Sequence, residues 1–166
     1  MRRLLYVLAV GLVGGGVALA ADVSDKTFAD KAAAGGMAEI RLSKLAMDKA
    51  QSTEVRQFAR KMVADHSKAG EELKQIAEKQ SIPLPSAMDE HHQKLYDKLA
   101  RMSGPAFDKE YMSAMTSDHD DAVKLFQEQA RNGNDAELKS FAMKTLPVIE
   151  KHDDMAHMDK NQVKKE

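Results

Sequence analysis

The chain has 166 residues, and its 25 basic residues almost balance its 26 acidic ones. This balance excludes the basic surface of a protein that binds nucleic acid or an anionic membrane, so we expect neither partner. Few aromatic residues, no Trp and no Cys, together with abundant Ala, Leu, Met, Lys and Glu, predict one all-α domain without disulfides. Its stability must come from helix packing, or from packing and a bound ion.

Residues 1–20 have the three parts of a secretory signal peptide. Two arginines precede an apolar run, which ends in the A-x-A pattern of residues 18–20. The run is short and glycine-rich for a membrane span, and no cysteine follows it to accept a lipid. We therefore predict cleavage after this pattern, then a helical bundle over residues 21–160 and a polar tail over 161–166. The mature protein would be periplasmic or secreted without a membrane span; an uncleaved N-terminal anchor is the alternative.

The first predicted helix spans about residues 25–49, with Ser24 as its N-cap. Glu39 occupies one position of its apolar stripe. A buried carboxylate calls for a basic partner, a hydrogen-bond network or a metal. Gly35 and Gly36 each cost roughly 1 kcal/mol of helix stability relative to Ala, which indicates a close approach of a neighbouring helix or a local irregularity.

The second predicted helix follows a cap at Ser52 or Thr53 and continues to about Lys79. His66 occupies a position of its stripe where an apolar residue is expected. The short turn before this helix makes the first two helices an antiparallel hairpin. Because Glu39 and His66 are equally distant from the turn, both should lie roughly 20 Å from the same end of the bundle.

A long connection follows the second helix. Prolines break the helix at residues 81–86, and a short amphipathic helix is predicted over about residues 89–101. This connection is long enough to traverse the bundle, which would make the third long helix parallel to the second, as in ferritin-like bundles. His91 and His92 lie on this crossover, and we interpret them as surface residues.

The third and fourth long helices are predicted over about residues 105–131 and 136–159. His119 lies in the apolar stripe of the third helix and His152 in that of the fourth. Pro147 should kink or restart the fourth helix. The fold prediction is therefore an all-α, ferritin-like four-helix bundle with a long crossover that carries a short helix.

One metal-competent side chain lies in the interior of each long helix, and four-helix bundles build metal sites from such inward residues. Three imidazoles and one carboxylate suit a single zinc, copper or iron ion better than calcium or magnesium. A hydrogen-bond network without metal, in a non-enzymatic envelope or stress-associated interaction protein, is the alternative. The predicted ligands are Glu39, His66, His119 and His152.

Other polar residues receive lesser roles. Asp65 should face away from the core as a cap or surface ion pair. Asp108 and Tyr111 lie too far from His119 along their helix to touch it, but could hydrogen-bond an imidazole from another helix. A softer thioether and imidazole set would suit copper. Its members are Met155, His157 and Met158, joined by His152 and by Met112 and Met115.

Motifs of enzymes are missing from the sequence. It has no cysteine nucleophile, no Gly-x-Ser-x-Gly elbow, no phosphate-binding glycine loop and no His-Glu-x-x-His. A di-iron site requires Glu-x-x-His pairs, but Val63 and Ile149 stand three residues before His66 and His152. We expect a mononuclear or empty site and no organic cofactor, and we favour a protein that is not an enzyme; an oxidase or ferroxidase is the third alternative.

Several segments resemble a family of exported bacterial proteins of unknown function. Its members are grouped with ferritin-like four-helix proteins and are often described as predicted outer-membrane proteins. The resemblance covers residues 25–158 and implies the bundle fold and export, without an established activity. It is carried by residues 58–66 (FARKMVADH), by residues 107–112 (FDKEYM) with His119, and by Phe141-Ala142 and Leu146-Pro147 with His152.

Overall fold

The computed structural model describes the backbone of residues 17–163 and the side chains of residues 25–161. This part of the chain is all-α, as predicted, and contains five helices. None of them is both long and apolar enough to cross a membrane. The predicted signal peptide and polar tail lie largely outside the described residues. The helices are α1 (Val17–Lys49), α2 (Thr53–Lys79), α3 (Glu90–Ala100), α4 (Gly104–Asn132) and α5 (Ala136–Val163).

The first helix begins earlier than predicted. It starts at Val17, so Ser24 lies within the helix and is not its N-cap. The residues between Val17 and Ser24 include Ala and Leu, which are strong helix formers, and contain neither Gly nor Pro to stop the helix. The last helix, α5, is continuous through Pro147 and does not restart there.

One end of the bundle is organised by the turn between α1 and α2. Ser52 caps α2, because its Oγ accepts hydrogen bonds from the backbone N–H groups of Glu54 and Val55 at 3.1 and 3.3 Å. The Asp108 carboxylate, near the start of α4, accepts from the backbone N–H groups of Gln51 and Ser52 at 3.0 and 2.7 Å. Helices α2 and α4 therefore begin at the same end.

The opposite end is organised by the Asp25 carboxylate of α1. It accepts hydrogen bonds from Nε2 of Gln129 at 2.7 Å and from the backbone N–H of Asp135 at 2.8 Å. Gln80, directly after α2, donates to the Asp135 side chain at 3.0 Å. Helices α2 and α4 thus also end together, so they run parallel, as the crossover prediction requires.

The crossover carries α3, which begins after an N-cap at Asp89 and agrees with the predicted short helix. It packs against α1 and α4. The guanidinium of Arg41 lies 5.5 Å from the centre of the Tyr96 ring, a cation–π contact between α1 and α3. Leu99 at the end of α3 is fully buried.

Two apolar clusters form the core, one toward each end of the bundle. In the first, Phe58 and Tyr111 pack edge to face with ring centres 6.2 Å apart. In the second, Phe28 and Phe126 do the same at 5.0 Å. The buried residues Glu39, His66, His119 and His152 lie between these clusters along their helices, so a polar layer interrupts the core.

Candidate metal centre

Three imidazoles from three helices converge in the polar layer. His66 comes from α2, His119 from α4 and His152 from α5, and their exposed fractions are 9, 0 and 1%. One ligand nitrogen from each ring lies within 4.8 Å of the others. The predicted convergence of these side chains is therefore confirmed, while their role as metal ligands stays a prediction.

His119 leaves one ring nitrogen without a partner. Its Nδ1 lies 2.8 Å from the carbonyl oxygen of Met115 and donates to it. In the neutral ring Nε2 then carries a lone pair, and this buried atom has no hydrogen-bond partner among the described residues. A buried polar atom without a partner costs free energy unless a proton, water or ion meets it.

In His66 and His152 one ring nitrogen faces inward, toward the centre of the three-ring cluster, and the other faces outward, away from it. Nδ1 of His66 lies 3.0 Å from Oε2 of Glu39, and Nε2 of His152 lies 2.8 Å from Oδ2 of Asp65. When both carboxylates are ionised, these outward nitrogens donate to them. The inward nitrogens, Nε2 of His66 and Nδ1 of His152, then face each other at 3.3 Å with lone pairs.

The separation of the inward nitrogens fits coordination. Metal–nitrogen bonds of about 2.0–2.1 Å in a tetrahedral site place two ligand nitrogens about 3.3 Å apart. The pair formed by His66 and His152 already has this separation. The other nitrogen–nitrogen separations in the three-ring cluster are at most 4.8 Å, so they would close by at most about 1.5 Å on binding an ion of this kind.

Glu39 belongs to the site without being part of the three-nitrogen cluster. Its second oxygen, Oε1, lies 3.6 Å from Nδ1 of His119, so the carboxyl group contacts two imidazoles. Burial raises the pKa of Glu39 to about 7, and the nearby His119 opposes this shift. At neutral pH the carboxyl group is therefore near its midpoint, and a cation in the cluster would favour its ionised form.

Burial also sets the charge of the imidazoles. It lowers the pKa of His66 to about 4, against the opposing field of Asp65. It lowers the pKa of His152 to about 4 as well, assisted by His66. Both rings are neutral at pH 7, so their lone pairs are available to a metal without the release of a proton from an imidazolium.

Asp65 contacts the imidazole cluster, which the sequence analysis does not predict. Its predicted orientation away from the core is incomplete, because its carboxylate contacts His152 and accepts from Lys61 at 2.6 Å. Burial alone would raise the pKa of Asp65, but the hydrogen bonds from Lys61 and His152 outweigh it and lower the pKa. Asp65 therefore stays ionised and fixes the orientation of His152.

Asp108 and Tyr111 do not have their predicted roles. Asp108 binds the backbone of the turn between α1 and α2, and the Tyr111 hydroxyl lies 2.8 Å from Oγ of Ser43. Both are buried beside the first apolar cluster, two to three helical turns from His119. The prediction that they hydrogen-bond an imidazole is therefore wrong.

The predicted thioether and imidazole set is not assembled. The side chain of Met158 is 57% exposed, and Met155 packs against the first apolar cluster. His157 is half-exposed and lies 3.3 Å from Asp120 and 3.6 Å from Asp153. Met112 and Met115 are buried in the core, and Met115 contacts His119 through its carbonyl oxygen.

The two neighbouring glycines of α1 differ in their surroundings. A Cβ atom on Gly35 would meet no described atom within 4 Å, so no described helix packs closely there, whereas one on Gly36 would lie 3.9 Å from Nδ1 of His66.

His92 is not the surface residue that its position on the crossover predicts, because it is half-buried between Asp89 and Asp118. The Asp118 carboxylate, 3.7 Å from Nε2 of His92, and then the hydrogen bond with Asp89 raise the pKa of His92 to about 9. His91 is exposed, as predicted.

Solved structures with the same fold include a DUF305 fragment from Deinococcus radiodurans. It aligns with a TM-score of 0.73 at 10% identity, over 84% of this chain and 96% of that chain. CopM in its Cu(II)-bound form aligns with a TM-score of 0.70 at 19% identity, over 83% of this chain and 96% of that chain. CopM in its Ag-bound form has a TM-score of 0.61 at 22% identity, over 85% and 93% of the two chains. These TM-scores show a shared helical fold.

No curated protein matches the sequence. A family model described as a domain of unknown function, DUF4142, matches residues 16–158. This range includes every residue of the polar layer, and the family description agrees with the unknown function that the sequence resemblance implies. The chain therefore belongs to the DUF4142 family.

Proposed function

We propose that this protein binds one transition-metal ion through His66, His119 and His152. Glu39 and Asp65 would orient two of the rings and supply negative charge. The observation that carries the proposal is the buried Nε2 of His119, which has no hydrogen-bond partner in residues 25–161 while Nδ1 of the same ring donates to a backbone carbonyl. Metal-binding imidazoles commonly use this arrangement, because it fixes the tautomer and the ring orientation.

A hydrogen-bond network without metal fits these contacts less well. In such a network each ring nitrogen should have a partner of the opposite kind. Within the described part of the chain Nε2 of His119 has none, and the facing nitrogens of His66 and His152 both carry lone pairs when Glu39 and Asp65 are ionised. An ion would satisfy all three inward nitrogens at once.

Copper is the first ion to test, and zinc is the second. Neutral imidazoles suit copper, zinc and iron, whereas magnesium and calcium prefer oxygen ligands. CopM, which shares this fold, is bound to copper or silver in its solved structures. With three imidazole ligands, the ion would keep one open position for water, for Glu39 or for an external ligand.

The proposed role is binding rather than catalysis, in an exported protein. The absence of Glu-x-x-His pairs around His66 and His152 argues against di-iron chemistry. The signal-peptide pattern of residues 1–20 supports export to the periplasm or the exterior. The parallel course of α2 and α4, joined by a crossover, supports the ferritin-like grouping.

The test is the metal content of the full chain, expressed without a histidine tag. After incubation with copper or zinc and removal of free ion, wild-type protein should retain about one ion per chain, and its melting temperature should rise. His66→Ala and His119→Ala should lose the ion. The matched control is His91→Ala, which removes an exposed histidine outside the cluster and should bind as wild type does.

One result would reject the proposal. If wild-type protein retains no stoichiometric ion, and its melting temperature does not respond to copper or zinc, the polar layer is a hydrogen-bond network. A non-enzymatic interaction protein would then be the better description.

A further inference from the structure

A large cavity extends from the polar layer into the bundle. Its volume is about 950 Å³, and residues of α1, α2, α4, α5 and the crossover line it. Glu39, His66 and His152 lie at one end. Beyond them the walls are mainly apolar, and they include Leu73, Ala77, Leu125, Phe126, Phe141 and Ile149. Pockets of this size with apolar walls and a few polar groups are typical of small-molecule sites.

Two glycines in helix interiors keep the cavity wide. Gly35 of α1 and Gly70 of α2 both line it, and a Cβ atom on either would meet no described atom within 4 Å. Helix packing therefore does not require glycine at these positions, although glycine weakens a helix relative to alanine. Their absent side chains leave space beside the polar layer.

The cavity is elongated along the bundle axis. On α2 its lining extends from Asp65 to Glu78, and on α5 from Phe141 to His152. At the rise of an α helix these segments span roughly 20 and 16 Å, enough for an extended chain of about a dozen carbons. A linear apolar chain of this length therefore fits along the cavity.

The polar end determines the head group of such a ligand. His66 and His152 line the cavity and His119 does not, so an ion held by the three rings would have its open position on the cavity side. Glu39, Asp65 and Asp118 also line this end. The five acidic residues of the cavity walls outnumber its three cations, Lys31, Lys74 and His92, so the walls of the metal-free protein are on balance unfavourable to an anion. A bound cation reverses this preference and attracts a carboxylate.

We propose that the cavity binds one linear carboxylate amphiphile, of the fatty-acid class, whose carboxylate occupies the open position of the ion. The proposal rests on the proposed metal site. The chain would lie along the apolar walls between α2 and α5, and the carboxylate would replace water on the ion. Metal occupancy and ligand binding would thus stabilise each other.

The experiment uses the full chain, with dodecanoate as the probe. Copper content is measured first, and dodecanoate is then titrated into copper-loaded and metal-free protein by calorimetry. The loaded protein should bind one equivalent at least about tenfold more tightly than the metal-free protein. Dodecanoate should also change the visible and electron paramagnetic resonance spectra of bound Cu(II), whereas dodecanol should not.

Cavity-filling variants test where the chain lies. Gly35→Leu and Gly70→Leu should bind copper as wild type does and lose dodecanoate affinity by about tenfold or more, because the new side chain occupies the cavity. The matched control is Glu71→Leu, which adds the same side chain at an exposed position outside the cavity. It should bind both copper and dodecanoate normally.

The failures of the two proposals are distinguishable. If copper binds at one equivalent but dodecanoate neither binds nor changes the Cu(II) spectra, the ligand proposal is wrong and the metal proposal stands. Normal dodecanoate affinity in both filled variants would also overturn it. If neither copper nor zinc binds in the first step, both proposals fail. Stronger binding of dodecylammonium than of dodecanoate to the loaded protein would contradict the carboxylate head group.

Discussion

The carboxylate of Asp65 lies 2.8 Å from Nε2 of His152 on a different helix, although Asp65 directly precedes His66 in the chain. One turn of α2 therefore supplies both a candidate ligand and the group that orients another. Asp65→Ala should lower copper affinity by about 10- to 100-fold, because His152 loses its fixed tautomer. Competition with a chelator of known affinity measures this change.

The control for this prediction is Asp97→Ala, which removes an exposed carboxylate from α3. It should leave copper affinity unchanged. Equal affinities of Asp65→Ala and wild type would show that the contact does not influence metal binding.

Gly36 and Gly35 are neighbours that should differ in their effect on the metal. A side chain larger than Ala at Gly36 would extend toward Nδ1 of His66, which lies 3.9 Å from the Cβ position. Gly36→Leu should displace this ring and lower copper affinity by at least about tenfold. Gly35→Leu, whose Cβ has open space among the described residues, is the control and should bind copper normally. Chelator competition on both proteins separates the two outcomes.

Acid should destabilise the metal-free protein. The pKa values of His66 and His152 are about 4 in the fold, against 6.5 for an unperturbed histidine, so their protonation favours unfolding as pH falls from about 6.5 toward 4. Glu39 acts in the opposite direction, because its pKa is about 7 in the fold, against 4.5 for an unperturbed glutamate. The two histidines outweigh it, and between about pH 4.5 and 6.5 the free energy of unfolding should rise by about 1.4 kcal/mol per pH unit.

Urea unfolding at several pH values measures this slope. His152→Gln removes one of the two titrating rings, so the remaining effects of His66 and Glu39 should nearly cancel between about pH 4.5 and 6.5. A slope as steep as that of wild type in this variant would contradict the assignment of His152.

Alkaline pH should weaken the attachment of the crossover. The pKa of His92 is raised from 6.5 to about 9 by Asp118 and Asp89. The stability from this charged contact is fully present below about pH 6.5 and is lost as pH rises through about 9. The urea midpoint of wild type should therefore fall between about pH 7.5 and 9.5, while that of His92→Gln stays nearly constant. If the urea midpoints of wild type and His92→Gln fall equally over this pH range, His92 does not have this role.

Asp108 should matter for stability and not for metal binding. Its carboxylate accepts two backbone hydrogen bonds from the turn between α1 and α2. Asp108→Ala leaves both donors unpaired and should lower the free energy of unfolding by about 3 kcal/mol. Urea unfolding measures the loss. The copper affinity of the folded variant should equal that of wild type, and a reduced affinity would restore the metal-supporting role that the sequence predicts for Asp108.

The metal-competent layer could be predicted because helical periodicity fixes which side of a helix is buried. A polar residue in an apolar stripe, such as His66 or His119, must then face the core. That Glu39 and His66 lie at the same distance from one end of the bundle follows from counting residues on both sides of one turn. These arguments need only the local geometry of a helix.

The contact of Asp65 with His152 is not predicted from the sequence, because an apolar stripe defines only one buried face on each helix. Helix α2 packs against both α1 and α5, so its inward arc is wide enough for two consecutive residues to point at different neighbours. The apolar stripe does not contain this information. The correct signal would be an acidic residue beside a core histidine, together with a second core histidine on the helix that packs on that side.

The errors at Asp108 and Met158 have different causes. Asp108 is buried, but its partners belong to a turn whose position depends on the whole bundle. Met158 lies near the end of α5, beyond the apolar stripe that neighbouring helices cover, and it is exposed. Periodicity predicts the orientation of a residue within a helix and does not predict how far the neighbouring helices extend.

The polar layer draws its imidazoles from α2, α4 and α5 and its buried carboxylate from α1, so all four long helices meet there. An ion held by these rings would cross-link distant parts of a chain that has no cysteine. Such a link is reversible, unlike a disulfide in an oxidising compartment. The lifetime of the folded chain would then depend on the supply of metal around it. A chelator would open this link by removing the ion, as a reducing agent opens a disulfide.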